Sequence, residues 1–242
     1  MLGEAVTCER VLQVYLLGLT DFYSAMRLQQ RWVFDARDDN CARLLLCEHP
    51  PMITVGRHGS HAHFRLEEDD QKFQPTPVVW VNRGAGCWLQ TPGQLAIYPV
   101  FPLQCMGLTL GDYYSGLRRC LKETLREFGL NGKTVPGSSE LWLNGRPIAS
   151  IGVAVRDWVT YYGAVLNVNP LLAEFRDVRT GKDHAAMTSL QRECRRPVRA
   201  ALVRELIVEK IVAQFGFERT ALFSEHPQLV RKVIKHALTS VG

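Results

Sequence analysis

Leu44-Leu45-Leu46-Cys47-Glu48-His49-Pro50-Pro51-Met52-Ile53-Thr54-Val55-Gly56-Arg57 is the stretch on which the fold turns. Arg43 to Cys47 is a short apolar run with the character of a buried strand. Glu48-His49-Pro50-Pro51 ends it, because proline lacks a backbone N–H and drives the residue before it out of the helical region. Met52 to Val55 predicts a second short strand that runs into Gly56-Arg57. Upstream, Val11 to Leu17 predicts a strand, and Asp21 to Ala36 a helix capped by Thr20 or Asp21. Downstream, Val78 to Val81 and Leu95 to Val100 are two more strands around a Gly-rich segment. Asp112 to Phe128 predicts a long amphipathic helix ended by Gly129.

Leu141-Trp142-Leu143, the turn pair Asn144-Gly145 and Ile148 to Val155 predict a hairpin, followed by a strand over Val159 to Val168 and a last strong helix over Val198 to Phe215. Strands arranged in hairpins with helices between them predict an α/β (α+β) fold, a mixed β-sheet with packed helices, and not a strict parallel alternation. Neither a repeat nor a linker divides the 242 residues, so one domain over 1–242 is expected, with 191–242 packing on the sheet mainly as helices.

A formal charge of +5 with no basic run gives no reason to expect a nucleic-acid partner. Met1 to Thr7 contains Glu4 and lacks the basic start and apolar core of a signal peptide, and no apolar run approaches the roughly 18 residues of a membrane span. A cytoplasmic protein with no membrane partner is the expectation. The odd set Cys8, Cys41, Cys47, Cys87, Cys105, Cys120 and Cys194 has no C-x-x-C pair, which argues against a disulfide framework and a zinc site. His58, His61 and His63 cluster without an acidic or cysteine partner at ligand spacing, so no metal and no cofactor is expected.

Arg83-Gly84-Ala85-Gly86-Cys87, with Thr91-Pro92-Gly93-Gln94 beyond, sets glycines around an arginine between two strands. Glycine permits close approach of backbone to a ligand and arginine can fix an anion or carbonyl, so this is either a binding loop or a structural loop with a surface arginine. Ile148-Ala149-Ser150-Ile151-Gly152 puts small side chains into a β-branched strand, as a ligand or a close-packed helix would require. Thr180-Gly181-Lys182-Asp183-His184 is a polar loop with a titratable histidine. Spacing alone pairs no nucleophile with a base.

In this order the segments resemble the octanoyl-carrier-protein:protein octanoyltransferases of lipoate biosynthesis. Leu44 to Arg57 is similar to the family's L-L-L-x-E-H-P-P-V-Y-T-L-G-R. Arg83-Gly84, Pro92-Gly93-Gln94-Leu95 and Tyr98-Pro99 follow R-G-G-Q-x-T-Y-H-G-P-G-Q-L-x-x-Y-P. Gly145-Arg146 and Ile148 to Gly152 follow G-R-K-I-A-S-I-G; Val159-Thr160-Tyr161, Gly163 and Leu166 to Asn169 follow V-T-Y-H-G-x-A-L-N-V-N; Thr188-Ser189-Leu190 follows V-T-S-L. The resemblance spans residues 44–190. It implies the fold of the lipoate-ligase and biotin-ligase catalytic domain, with an acyl chain held by these motifs: Arg83, Gly84, Ala85, Gly86, Cys87, Trp88, Leu89 and Gln90 on one side, Ser150, Ile151, Gly152, Gly163, Ala164 and Val165 on the other. The implied partners are octanoyl-acyl carrier protein and lipoyl domains.

The family's reaction, as the resemblance implies it, takes octanoyl onto a cysteine and passes it to a lysine amine of the lipoyl domain, a nearby lysine lowering the thiol pKa. That lysine is Pro147 here. Counted back from T-S-L, the cysteine is Thr180; counted forward from L-N-V-N, it is Gly181. Two motif histidines are Gln90 and Tyr162. The expectation is a homologue without the family's catalysis that keeps the cleft for an acyl or lipoyl group or a protein partner. The alternative is an enzyme whose nucleophile has moved to Cys87, with Lys182 supplying the cation. ATP-dependent ligation, as in the related lipoate ligases, needs a lysine where Pro147 stands.

Overall fold

The computed structural model of the chain describes residues 10–61, 76–177 and 186–226. The apolar run of the opening stretch becomes β2 (Ala42–Glu48), the third strand of an eight-stranded sheet. Its side chains alternate between two cores: Leu44 and Leu46 face one, Leu45 and Cys47 the other, and all four are fully buried. A strand buried on both faces has no polar side to show, which is why it reads as a continuous apolar run. Each buried leucine contributes about 1.5–3 kcal/mol of burial free energy.

β1 (Val11–Leu19) lies parallel to β2, and β6 (Gln94–Val100) pairs antiparallel on its other side. Next come β10 (Val159–Asn167), β9 (Arg146–Arg156), β8 (Glu140–Leu143) and the two-residue β7 (Lys133–Thr134). The Asn144-Gly145 turn joins β8 to β9, with both residues at positive φ (49° and 73°), as a two-residue hairpin of this kind demands. A separate small sheet has β3 (Met52–Val55) between β4 (Val78–Trp80), parallel to it, and β5 (Cys87–Gln90), antiparallel.

One face of the large sheet carries α1 (Phe22–Asp39), whose cap is Asp21 accepting the Ser24 N–H at 2.9 Å; Phe22, Leu28, Trp32 and Val33 meet Leu45, Tyr98 and Tyr162 there. The opposite face carries α2 (Leu110–Arg126) and α4 (Ala200–Phe215). α2 begins two residues earlier than the apolar pattern suggests, because Thr109 and Asp112 close a reciprocal capping box. The short α3 (Leu190–Cys194) follows the T-S-L segment.

Three strands differ from expectation: β7, whose two residues are too few to carry a pattern, and the two that follow. Cys87–Gln90, inside the Gly-rich segment, forms β5; all four residues are buried, so no alternation marks it. Arg219–Phe223, where helices are expected, is β11, parallel to β1 at the sheet edge. Its residues are mostly exposed, and its place comes from the free edge of β1 and the stacking of Phe223 on Tyr15 at 4.8 Å.

Candidate functional site

The Gly-rich loop turns its arginine inward. Arg83 is 1% exposed, and four of its five N–H groups are spent on the protein. Nη1 donates to the Gly84 and Gly86 carbonyls at 2.9 and 3.0 Å, and Nη2 to the Thr54 carbonyl and hydroxyl at 3.0 and 2.8 Å. Its guanidinium stacks on Trp88, 3.5 Å from the ring centroid. No described carboxylate pairs with it, and burial lowers its pKa to about 9, with smaller opposing electrostatic contributions from Tyr98, Tyr162 and Cys87. Ala85 takes the left-handed conformation (φ 66°), and a Cβ on Gly56 would lie 2.6 Å from the Ala85 carbonyl, so loop and strand β3 are in backbone contact.

The loop lies across β9 and β10, where Gly152 and Gly163 stand opposite each other. The Gly84 N–H donates to the Val153 carbonyl at 2.9 Å, and a Cβ on Gly152 would meet the Gly84 carbonyl at 2.6 Å and the Trp88 ring at 3.0 Å. Ala85, Trp88 and Val165 form one apolar cluster. Ser150 pairs with Val165 in the ladder and is buried. Ile151 and Ala164 belong instead to the core under α2 and α4. Cys87 and Leu89, on the other face of β5 from Trp88 and Gln90, pack with Ile53, Val55, Phe175 and Met187. The sequence-derived set is thus divided: Arg83, Gly84, Ala85, Trp88, Gly152 and Val165 meet, whereas Cys87, Leu89, Ile151 and Ala164 join other clusters.

Trp88, which the resemblance sets on the acyl-holding side, fills that space itself. It occupies the threonine position of the family's R-G-G-Q-x-T-Y-H, and its ring, 4% exposed, fills the space between Arg83 and Gly152. Cys87 donates its thiol to the Ser60 carbonyl at 3.6 Å, and burial raises its pKa, with the Ser60 bond and Arg83 only partly offsetting this. The thiols of Cys41, Cys47, Cys120 and Cys194 are also pushed up, in each case foremost by burial.

Pro147 is buried at the start of β9. Leu141 faces Ala149 and Trp142 faces Pro147, so Ile148 is an extra, bulged residue, and the strand tolerates proline beside it. The Pro147 carbonyl accepts the Thr188 N–H at 2.9 Å. Arg146 pairs with Glu193 at 2.8 Å, and the same carboxylate accepts from Asn144 and from the Thr188 hydroxyl, which holds its pKa below the usual range despite partial burial. Thr188 is also tied backward: Asn167 donates to its carbonyl at 2.9 Å, Gln94 donates to Asn167 at 2.8 Å, and the Thr91 N–H donates to Gln94 at 2.9 Å. This relay brings four motif segments to one place, beside Pro147. Gln94 and Asn167 stand in segments that the sequence singles out, though nothing in the spacing pairs them, and Glu193 carries no signal in the sequence. Thr180, Gly181, Lys182 and His184 lie outside the described residues.

A second group of buried polar side chains packs against α1. His49, 1% exposed, has Nδ1 2.7 Å from the Thr20 carbonyl and Nε2 2.9 Å from the Tyr98 hydroxyl; burial lowers its pKa to about 4. Tyr162, at a position that the resemblance gives to a histidine, is left-handed (φ 57°), its N–H held by Gln29 at 2.8 Å, and burial pushes its phenol up to about 12. Gln90 is buried on β5.

The fold is that of lipoate-protein ligases. The chain is similar to lipoate-protein ligase A bound with ATP (TM-score 0.62, 12% identity, 91% of each chain covered). It is also similar to the bi-partite lipoate protein ligase of Thermoplasma acidophilum (TM-score 0.61, 12% identity, 91% of this chain and 88% of that one). In sequence it is similar to the octanoyltransferase of Syntrophobacter fumaroxidans, 35% identical over 181 residues (73% of this chain, 78% of the relative). The octanoyltransferase of Roseiflexus sp. is 35% identical over 215 residues (86% and 89%). The lipoyl protein ligase A/B catalytic-domain model matches residues 21–212, and the chain belongs to that family.

Proposed function

We propose that this chain is a non-catalytic octanoyltransferase homologue of protein lipoylation that binds an octanoyl- or lipoyl-bearing carrier without forming a covalent intermediate. The observation that carries the reading is Pro147: beside the Thr188 relay, where the resemblance calls for a lysine, stands a residue with neither charge nor N–H. A thiolate there would have no ammonium to stabilise it. The acyl chain lies between the Arg83 to Gln90 segment and the strand pair carrying Ser150, Gly152, Gly163 and Val165, and its entry requires Trp88 to leave the space against Gly152. The relocated-nucleophile alternative asks Cys87 to act while buried, with its pKa raised and its side chain on the face of β5 away from Trp88.

Incubation with octanoyl-acyl carrier protein followed by intact-mass spectrometry tests the proposal. Saturable binding and no octanoyl adduct are expected. An adduct lost in Cys87→Ser would establish the alternative, and failure to bind octanoyl carrier protein and octanoyl-lipoyl domain alike would overturn the carrier-binding reading.

A further inference from the structure

An open hollow of about 530 Å³ lies beside the motif relay, between the end of β10 and the turn after α3. Ser189, which continues the T-S-L segment, forms part of its wall, next to the Thr188 whose N–H is bonded to Pro147. Arg192, Arg195 and Arg196 project into it, and no Asp or Glu lines it among the described residues. None of the three arginines is in an ion pair with a described carboxylate; Glu193, their neighbour in sequence, is turned away and spent on Arg146, Asn144 and Thr188.

The arginines are held on a fixed turn. Arg195 is the left-handed cap of α3 (φ 52°), its N–H bonded to the Arg192 carbonyl at 3.3 Å, and Pro197 locks the chain that follows. The floor is apolar, with Pro170 and Leu172, and Leu171 stands 64% exposed at its edge. A cationic rim around an apolar floor is complementary to an acidic protein surface that presents an apolar side chain among carboxylates. Free small anions would gain nothing from that floor.

We propose that this hollow is the docking surface for the acidic face of an acyl carrier domain, seated with an apolar side chain beside Leu171 and carboxylates on Arg192, Arg195 and Arg196. The inference rests on the carrier-binding reading above and names where the carrier sits: a domain docked here places its acyl arm at the Pro147 end of the relay.

Calorimetric titration of the full chain with octanoyl-acyl carrier protein tests it, at ~0.05 M and ~0.5 M salt, since screening shortens charge interactions to well under 10 Å at the higher value. Arg192→Glu/Arg196→Glu is expected to weaken binding by roughly tenfold or more at low salt, and the wild type is expected to lose most of that advantage at high salt. Arg119→Glu/Lys122→Glu on α2 makes the same change in net charge elsewhere and is expected to weaken binding less than about twofold. Leu171→Asp, a change at an exposed position, is the second variant, with a loss comparable to that of the arginine pair.

Equal weakening by the α2 pair would reduce the effect to long-range attraction and overturn the assignment. Binding that ignores Arg192, Arg196 and Leu171 would overturn the docking surface but leave the carrier-binding reading intact. Arginine-dependent binding of a lipoyl domain alone would show that the occupant is wrongly assigned. Carrier protein without octanoyl, bound as tightly and with the same arginine dependence, would support the docking surface while counting against the acyl-holding role. No binding of either domain would overturn both.

Discussion

Lowering the pH from 7 to 5 is expected to remove about 2 kcal/mol of stability, through His49 alone. The side chain is enclosed: neutral imidazole donates from Nδ1 to the Thr20 carbonyl and accepts at Nε2 from the Tyr98 hydroxyl, which uses both nitrogens. Burial depresses the pKa from 6.5 to about 4, against smaller opposing contributions from Thr20 and Asp21. Between those values the unfolded chain takes up a proton that the folded chain refuses. Stability is therefore full above about pH 6.5 and is lost as the pH falls toward 4. At pH 5, protonation stabilises the unfolded histidine by about 2 kcal/mol, while each carboxylate, with an unfolded pKa near 4, adds only about 0.1 kcal/mol. Urea midpoints at the two pH values provide the measurement. With an m-value of roughly 2–3 kcal/mol/M, the wild-type midpoint should fall by somewhat under about 1 M. His49→Gln lowers stability at both pH values but should lose most of the pH dependence. Some remains, because burial and Arg43 depress the pKa of His226 in the same direction. Equal midpoint drops in wild type and variant would refute the claim that His49 is a buried neutral strut.

Gly163→Ala is expected to cost at least ~3 kcal/mol in thermal or urea denaturation. Its Cβ would fall 2.2 Å from the Ile97 carbonyl and 2.8 Å from Pro99, both on β6, whereas a Cβ on Gly18 meets nothing within 4 Å and Gly18→Ala should change stability by less than about 1 kcal/mol. In thiol titration with an aromatic disulfide at pH 8, Cys87→Ser should leave the fast phase unchanged, while Cys105→Ser, at an exposed thiol, should diminish it; a fast phase that depends on Cys87 would revive the relocated nucleophile. Trp88→Thr, which restores the family's residue, should cost about 3–5 kcal/mol and raise octanoate affinity at least tenfold by calorimetry; unchanged affinity would place the acyl path elsewhere.

What could be read from the sequence follows from how local each determinant is. Met52–Val55 has the expected bounds, and β2 extends the expected run by a residue at each end, because prolines and apolar runs act within a few residues. β11 escaped because an exposed edge strand has no alternation, and β5 because a fully buried one has none either. Arg83 was legible as an important loop arginine but not as an inward one. Its acceptors include Thr54, 29 residues away, and the fold turned it to the loop's own carbonyls. The Gln94–Asn167–Thr188 relay spans separations of 73 and 21 residues, and only the order of the motifs hinted that these segments meet.

The same contacts give structural reasons for the motif residues that this chain shares with the family resemblance. Gly56, Gly152 and Gly163 each stand where a Cβ would strike a carbonyl at 2.6 Å or less, so their retention is required by packing whether or not a reaction occurs. Arg83, Gln94, Asn167 and Thr188 hold main chain to main chain across the site and are equally needed for the fold. Pro147 differs. What its backbone supplies is a carbonyl for the Thr188 N–H, which any residue provides, and the neighbouring bulge at Ile148 spares the strand the donor that proline lacks. The side chain at this position can therefore vary at little cost to stability, whereas the glycines and the arginine cannot. The glycines and Arg83 therefore report the lipoate-ligase-like architecture, whereas the side chain at Pro147 is one that this architecture leaves free to vary, which is why the proposed loss of catalysis rests there and not on the motif glycines.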